Sequence, residues 1–111
     1  DGAPLAGPTA RECLIDWYGN NTPGTGKWIV GGRRILPSKI NVPSLVMIPS
    51  GDRIVPPLSA AALADPVKGL RNVTRRDLPL GHIGMVVSSR ARDLCWTPLL
   101  DWLSDIPAKR K

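Results

Sequence analysis

The run Ser44-Leu45-Val46-Met47-Ile48 is the feature that most limits what this chain can fold into. Its apolar residues follow one another without the polar alternation of a half-wet strand, and it is short for a helix. Such a run suits a strand covered on both faces, as in a parallel sheet flanked by helices. It follows Asn41-Val42-Pro43 and stops at Pro49-Ser50-Gly51-Asp52, a turn at its carboxyl end. Twelve prolines and eleven glycines among 111 residues keep the other elements short too. The expected class is therefore a loop-rich α/β chain rather than a helical bundle.

A chain this long makes one domain or one piece of a larger one, and a compact version buries roughly 60–70% of its unfolded surface. Hydrophobic residues at 42% and charged residues at 22% are ordinary for a globular protein. The formal charge of +6 raises nucleic acid as a partner. Its distribution argues against one: Arg33-Arg34, Arg75-Arg76 and Lys109-Arg110-Lys111 are separate short clusters, not a stripe interleaved with aromatics. No apolar run approaches the length of a transmembrane helix, and Asp1–Pro8 lacks the regions of a signal peptide. Cys13 and Cys95 have neither metal-type nor C-x-x-C spacing, so free thiols are expected.

Along the chain, residues 1–8 read as a linker, 9–104 as the folded part and 105–111 as a basic tail. Thr9-Ala10-Arg11-Glu12 matches a capping box and predicts a helix over Ala10 to Tyr18, stopped by Gly19-Asn20-Asn21. Trp28-Ile29-Val30 and Arg33-Arg34-Ile35-Leu36 flank Gly31-Gly32, which predicts a small surface hairpin with a tight primed turn. Pro56-Pro57 opens a short Ala-rich helix. Asn72–Leu78 alternates and reads as a strand nearer the sheet edge. Pro79-Leu80-Gly81-His82-Ile83-Gly84 is then a loop holding the only histidine. Ser88 or Ser89 can cap a last helix from about Arg90, with Thr97-Pro98 restarting it and Leu94, Cys95, Leu99, Trp102 and Leu103 as its apolar stripe.

From Ser44 onward the order is strand, Asp-bearing turn, helix, strand, His-bearing loop, helix. Open α/β sheets gather their ligand-binding loops at the carboxyl ends of the strands. Asp52 and His82 each follow such an end, and an acid beside an imidazole is what nucleophile activation requires. The duller readings are an Asx-turn for Asp52 and a structural hydrogen bond for His82. Asp65, at a helix end, and Asp77, inside a strand, are rival acids in poorer positions. Gly81 and Gly84 are expected to permit tight backbone turns around His82. Trp28, Trp96 and Trp102 are expected to be packing residues.

The stretch V-P-S-L-V-M-I-P-S-G-D-R-I-V-P-P resembles the acid-bearing strand and turn of α/β-hydrolases, and G-H-I-G resembles their histidine loop. With R-E-C-L-I-D-W-Y-G-N-N, V-G-G-R-R-I and W-T-P-L-L-D-W-L in the same order, the chain resembles the carboxyl-terminal part of polyhydroxyalkanoate synthases from about Pro8 to Leu103. The resemblance implies a carboxyl-terminal fragment of an α/β-hydrolase fold, with parallel strands, flanking helices and a small hairpin. It implies an acyltransferase that polymerises 3-hydroxyacyl-CoA thioesters through a covalent cysteine intermediate, with His82 as the base that deprotonates the cysteine and Asp52 as the acid that supports the histidine or activates the incoming hydroxyl. It implies no separate cofactor, since CoA belongs to the substrate. A hydroxyacyl-CoA and a growing polyester are the expected partners, in a cytoplasmic homo-oligomer at polyester granules.

The nucleophile has no match in the chain. Neither Cys13 nor Cys95 is flanked by the glycines of a G-x-C-x-G elbow, which in this fold precedes the acid and the base. A carboxyl-terminal fragment without activity of its own is therefore expected, and the absence of an initiating Met fits it. Two other readings remain: a depolymerase or esterase on the same fold with a serine nucleophile, and a basic interaction module.

Overall fold

Short elements dominate, as the spacing of prolines and glycines requires. A computed structural model of the chain describes residues 2–107. The basic cluster Lys109-Arg110-Lys111 lies outside the described residues. In order come helix α1 (Gly7–Arg11), strands β1 (Ile29–Val30), β2 (Arg33–Arg34) and β3 (Ser44–Pro49), and helix α2 (Pro57–Ala60). Strand β4 (Val73–Leu78) and helices α3 (Gly84–Val87) and α4 (Thr97–Asp105) follow. A π-helical stretch, Glu12–Gly19, continues α1, and another, Arg92–Trp96, leads into α4. The molecule is thus mixed helix and sheet, with one small antiparallel hairpin and one small parallel sheet.

The hairpin forms where Gly31 and Gly32 predict it, pairing Ile29 with Arg34 and Val30 with Arg33. Both glycines take positive φ, 57° and 77°, the conformation of a primed turn that matches strand twist. All four paired residues are exposed.

The first helix departs from expectation at its start. It begins at Gly7 with Pro8 in the first turn, and no side chain caps it. The Thr9–Glu12 capping box does not form because Thr9 already lies inside the helix. Glu12 is used elsewhere: its carboxylate accepts a 3.0 Å hydrogen bond from the Trp28 indole N–H. Trp28 also meets Trp17 edge to face, with ring centroids 5.3 Å apart. The helix thereby straps down the approach to the hairpin. It ends at Asn20, and Asn21 takes the left-handed φ of 47° that Asn tolerates better than most residues.

Strands β3 and β4 pair in parallel, from Ser44 opposite Val73 to Pro49 opposite Leu78. Because the strands end level, the turns that follow them emerge side by side. Burial is uneven. Ile48 and Pro49 are buried and the rest of β3 is half-buried, while β4 is largely exposed except at Leu78. The two-faced cover expected for β3 is therefore present only at its carboxyl end.

A compact core gathers Leu78, Leu80 and Cys95, with Met47, Met85 and Leu94 packed around them. The Cys95 thiol points at the Met47 sulfur, 3.6 Å away. Of the expected stripe on the last helix, Cys95 is buried, Leu94 and Trp102 are half-buried, and Leu99 and Leu103 are exposed. That helix is not interrupted at Pro98. Trp96 and Thr97 keep helical backbone angles, and the widened π turn falls at the carbonyls that Pro98, lacking an N–H, cannot serve. Thr97 makes no cap, and the buried Ser88 hydroxyl has no partner among the described residues.

Large apolar side chains stay in water: Tyr18 is 84% exposed and Leu58 89%. The radius of gyration, 16.3 Å, exceeds the roughly 13 Å expected of a compact domain this long.

Candidate active site

The turn after β3 and the loop after β4 are stitched together by main-chain bonds. The Ser50 N–H donates to the Leu78 carbonyl at 2.8 Å, and the Gly51 N–H to the Leu80 carbonyl at 3.0 Å. The Ser50 hydroxyl donates to the same Leu78 carbonyl at 3.0 Å. The segments approach so closely that a Cβ on Gly51 would sit 3.1 Å from the Leu80 oxygen. Glycine is favoured here by the close approach, not by an unusual φ.

This stitching sets Asp52 beside His82. Asp52 Oδ2 lies 2.8 Å from His82 Nδ1. The other carboxylate oxygen, Oδ1, accepts the N–H of Ile54 at 2.8 Å and of Val55 at 2.9 Å. Asp52 therefore does form the Asx-type turn of its duller reading, and it also holds the histidine. The two readings are compatible, because they use different oxygens of one carboxylate. His82 opens a helical turn closed by Met85 N–H on the Gly81 carbonyl at 3.0 Å and Val86 N–H on Ile83 at 2.9 Å. The tight turn expected around His82 forms between Gly81 and Gly84 without a positive φ at either glycine, and Gly84 is the first residue of α3. Trp96 donates its indole N–H to the Val86 carbonyl at 3.0 Å, joining the last helix to this loop.

The two partners differ in exposure: the Asp52 side chain is 4% exposed and that of His82 42%. Desolvation alone raises the Asp52 pKa. The Val55 amide, the His82 ring, the Ile54 amide and the histidine's charge together outweigh it, so the carboxyl is held below its ordinary value. An ionised carboxylate can only accept, so Nδ1 of a neutral His82 carries the proton. Nε2, the nitrogen turned away from the acid, is then the ring's acceptor. Such a ring can take a proton from a third group, and Asp52 then stabilises the resulting imidazolium.

The rival acids are engaged elsewhere. Asp65 Oδ1 accepts the N–H groups of Val67 and Lys68, both at 2.8 Å, and those amides with the Lys68 charge lower its pKa despite some desolvation. Asp77 pairs with Arg75 at 3.1 Å along β4. Both cysteines are free thiols: Cys13 is half-buried on the first helix, and Cys95 lies in the core against Met47. Among the described residues, no group of three or more His, Cys, Asp and Glu converges as a metal site would, and no helix is long and apolar enough to cross a membrane. A cavity of about 500 Å³ opens between the Asn21–Gly26 loop, Leu36–Ser38 and Ala62–Lys68, and includes neither Asp52 nor His82.

Sequence reasoning found the pair and missed what holds it. Ser50 and the Ile54 and Val55 amides do the holding, and the S-G-D-R turn signal pointed at their position without showing their partners.

The chain is similar to poly(3-hydroxyalkanoate) polymerase subunits. It is 31% identical to that of Synechocystis sp. over 105 residues, which is 95% of this chain and 28% of the relative. It is 32% identical to that of Allochromatium vinosum over 108 residues, 95% of this chain and 29% of the relative. With the subunit of Haloferax mediterranei the identity is 27% over 105 residues, 95% of this chain and 21% of the relative. All five curated relatives that match carry this polymerase-subunit name, as the motif resemblance implied. The chain spans less than a third of the length of these relatives. No family model matches the chain, and no solved structure does.

Proposed function

Taking the chain as a segment of a polyhydroxyalkanoate polymerase, we propose that it supplies the acid and the base of that enzyme's acyl-transfer site. The observation that carries this is the 2.8 Å contact between Asp52 Oδ2 and His82 Nδ1, in a chain similar over 95% of its length to polymerase subunits. The nucleophile is a cysteine in a glycine-flanked elbow contributed from outside these 111 residues. The fold completed around the parallel pair is an α/β-hydrolase fold, in which the elbow, acid and base gather at strand ends.

His82 Nε2 takes the proton of the elbow thiol. The thiolate attacks the thioester carbonyl of a 3-hydroxyacyl-CoA, the bond to the CoA sulfur breaks, and the imidazolium returns its proton to the departing CoA thiolate. An acyl-cysteine remains. Ring and acid then act again: Nε2 removes the proton of an incoming 3-hydroxyl, whose oxygen attacks the acyl-cysteine carbonyl; the bond to the cysteine sulfur breaks, the imidazolium returns its proton to that thiolate, and the ester is longer by one unit. Through both halves Asp52 keeps the ring in one tautomer and offsets its positive charge. CoA enters and leaves as part of the substrate, so this chemistry requires no further cofactor.

A serine in the elbow would serve a depolymerase or esterase, and the acid–base contact alone suits either enzyme. The shared likeness of all five relatives to polymerase subunits favours the cysteine. CoA release from 3-hydroxybutyryl-CoA tests this, measured for residues 1–111 alone and for the same chain extended through its upstream coding sequence. The expected result is a silent short chain and an active long one with G-x-C-x-G in its elbow. Turnover by the short chain, or a serine in the elbow, would overturn the reading.

A further inference from the structure

We propose that Ser50 is a positioning residue for the acid–base pair, clamping the Asp52 turn onto the His82 loop through its hydroxyl. This rests on the acid–base reading for its functional meaning, though the clamp itself is a matter of geometry. The Leu78 carbonyl closes β4, four residues before His82, and receives two donors from one residue: the Ser50 N–H at 2.8 Å and the Ser50 hydroxyl at 3.0 Å. The Leu80 N–H donates to the same oxygen at 2.8 Å, so three donors share it, and the Ser50 hydroxyl is the one that belongs to a side chain. Next along, the Gly51 N–H reaches the Leu80 carbonyl at 3.0 Å. The main chain between these carbonyls is tightened further, since the Leu80 N–H folds back onto Leu78 at 2.8 Å.

Three donors from two consecutive residues thus grip two carbonyls on either side of Pro79. Asp52 follows that grip immediately, and His82 lies two residues beyond Leu80. Removing the hydroxyl leaves the main-chain bonds and the buried side chains untouched. What it loosens is the angle between the two segments, on which the 2.8 Å carboxylate–imidazole contact depends. A catalytic group displaced slightly from its working geometry loses activity far out of proportion to the lost stability.

His82 is the only histidine, so its Nδ1 proton gives an unambiguous NMR signal in the 111-residue chain. Wild type should show a low-field Nδ1–H resonance protected from exchange with water. In Ser50→Ala that proton should exchange about five- to tenfold faster, the change expected for one hydrogen bond. Far-UV circular dichroism should be unchanged, and Ser50→Thr should restore wild-type exchange. An unchanged resonance in Ser50→Ala overturns the clamp. Should Ser50→Ala lose the fold, Ser50→Thr and Ser50→Val, equal in shape and different only in the hydroxyl, decide the matter, and identical behaviour of those two overturns it. Asp52→Asn separates the two ideas. If its resonance is lost while that of Ser50→Ala persists, the pair stands and the clamp falls. If wild type shows no protected proton at all, both fall.

Discussion

Asp52 and His82 meet at 2.8 Å from opposite sides of the solvent boundary, the carboxylate almost wholly covered and the imidazole nearly half open. The covered partner is the one held ionised, by two main-chain amides and the ring. The asymmetry has a consequence for stability. A carboxyl whose folded pKa lies below its unfolded value stabilises the fold at pH above the unfolded value, about 4, and ceases to do so as pH falls through the folded value. Urea denaturation of wild type and Asp52→Asn should therefore differ at pH 6, with wild type the more stable. That difference should shrink below pH 4. A gap that is constant from pH 6 to pH 3 would show that the Asp52 charge is not what matters.

The two glycines nearest the pair should respond oppositely to alanine. At Gly51 the new Cβ would press on the Leu80 carbonyl from 3.1 Å, against backbone that cannot step aside. A loss of about 1–3 kcal/mol is expected, the range of overpacked sites. At Gly84 the Cβ would meet only the Ser88 side chain, its Cβ at 3.7 Å and its Oγ at 4.0 Å, an ordinary contact in a helical turn. There alanine should be neutral or stabilising by up to about 1 kcal/mol. Denaturation midpoints of the two variants check both, and equal effects would contradict the geometry.

Truncation should separate the small core from the apolar surface around it. Ile48 is 1% exposed on β3, so Ile48→Ala should cost about 2–5 kcal/mol. Leu58 is 89% exposed, and Leu58→Ala should change monomer stability by less than about 0.5 kcal/mol. The same exposed side chains, beside a parallel pair with open edges, should drive the 111-residue chain to self-associate. Light scattering at rising concentration checks that, and a monomer at every concentration would count against it.

Much of the route to the site is legible in the residues. The Ser44–Ile48 run and its stop at Pro49-Ser50-Gly51-Asp52 locate the acid. The weaker alternation before Leu78 locates the strand that brings the histidine alongside. Gly31-Gly32 locates the hairpin, since a primed turn has few alternatives. Local signals failed where a longer-range partner outbid them. Glu12 serves the Trp28 indole rather than its own helix start, and Pro8 opens the helix before Thr9 can cap it. The Ser50 hydroxyl bonds to a carbonyl 28 residues away, a partner that no short motif encodes. Burial was the least legible property. A strand written for cover on both faces has it only at Ile48 and Pro49, because these residues alone do not provide the rest.

Steady-state CoA release from 3-hydroxybutyryl-CoA, by the chain extended through its upstream coding sequence, tests the proposed acid–base role most directly. His82→Ala and Asp52→Asn should each lower kcat by about 10⁴-fold with the fold intact, and the double variant should lose little more, as expected of residues acting as one unit. Retention of more than about a tenth of wild-type kcat by His82→Ala, far above what loss of a triad base leaves, would contradict it.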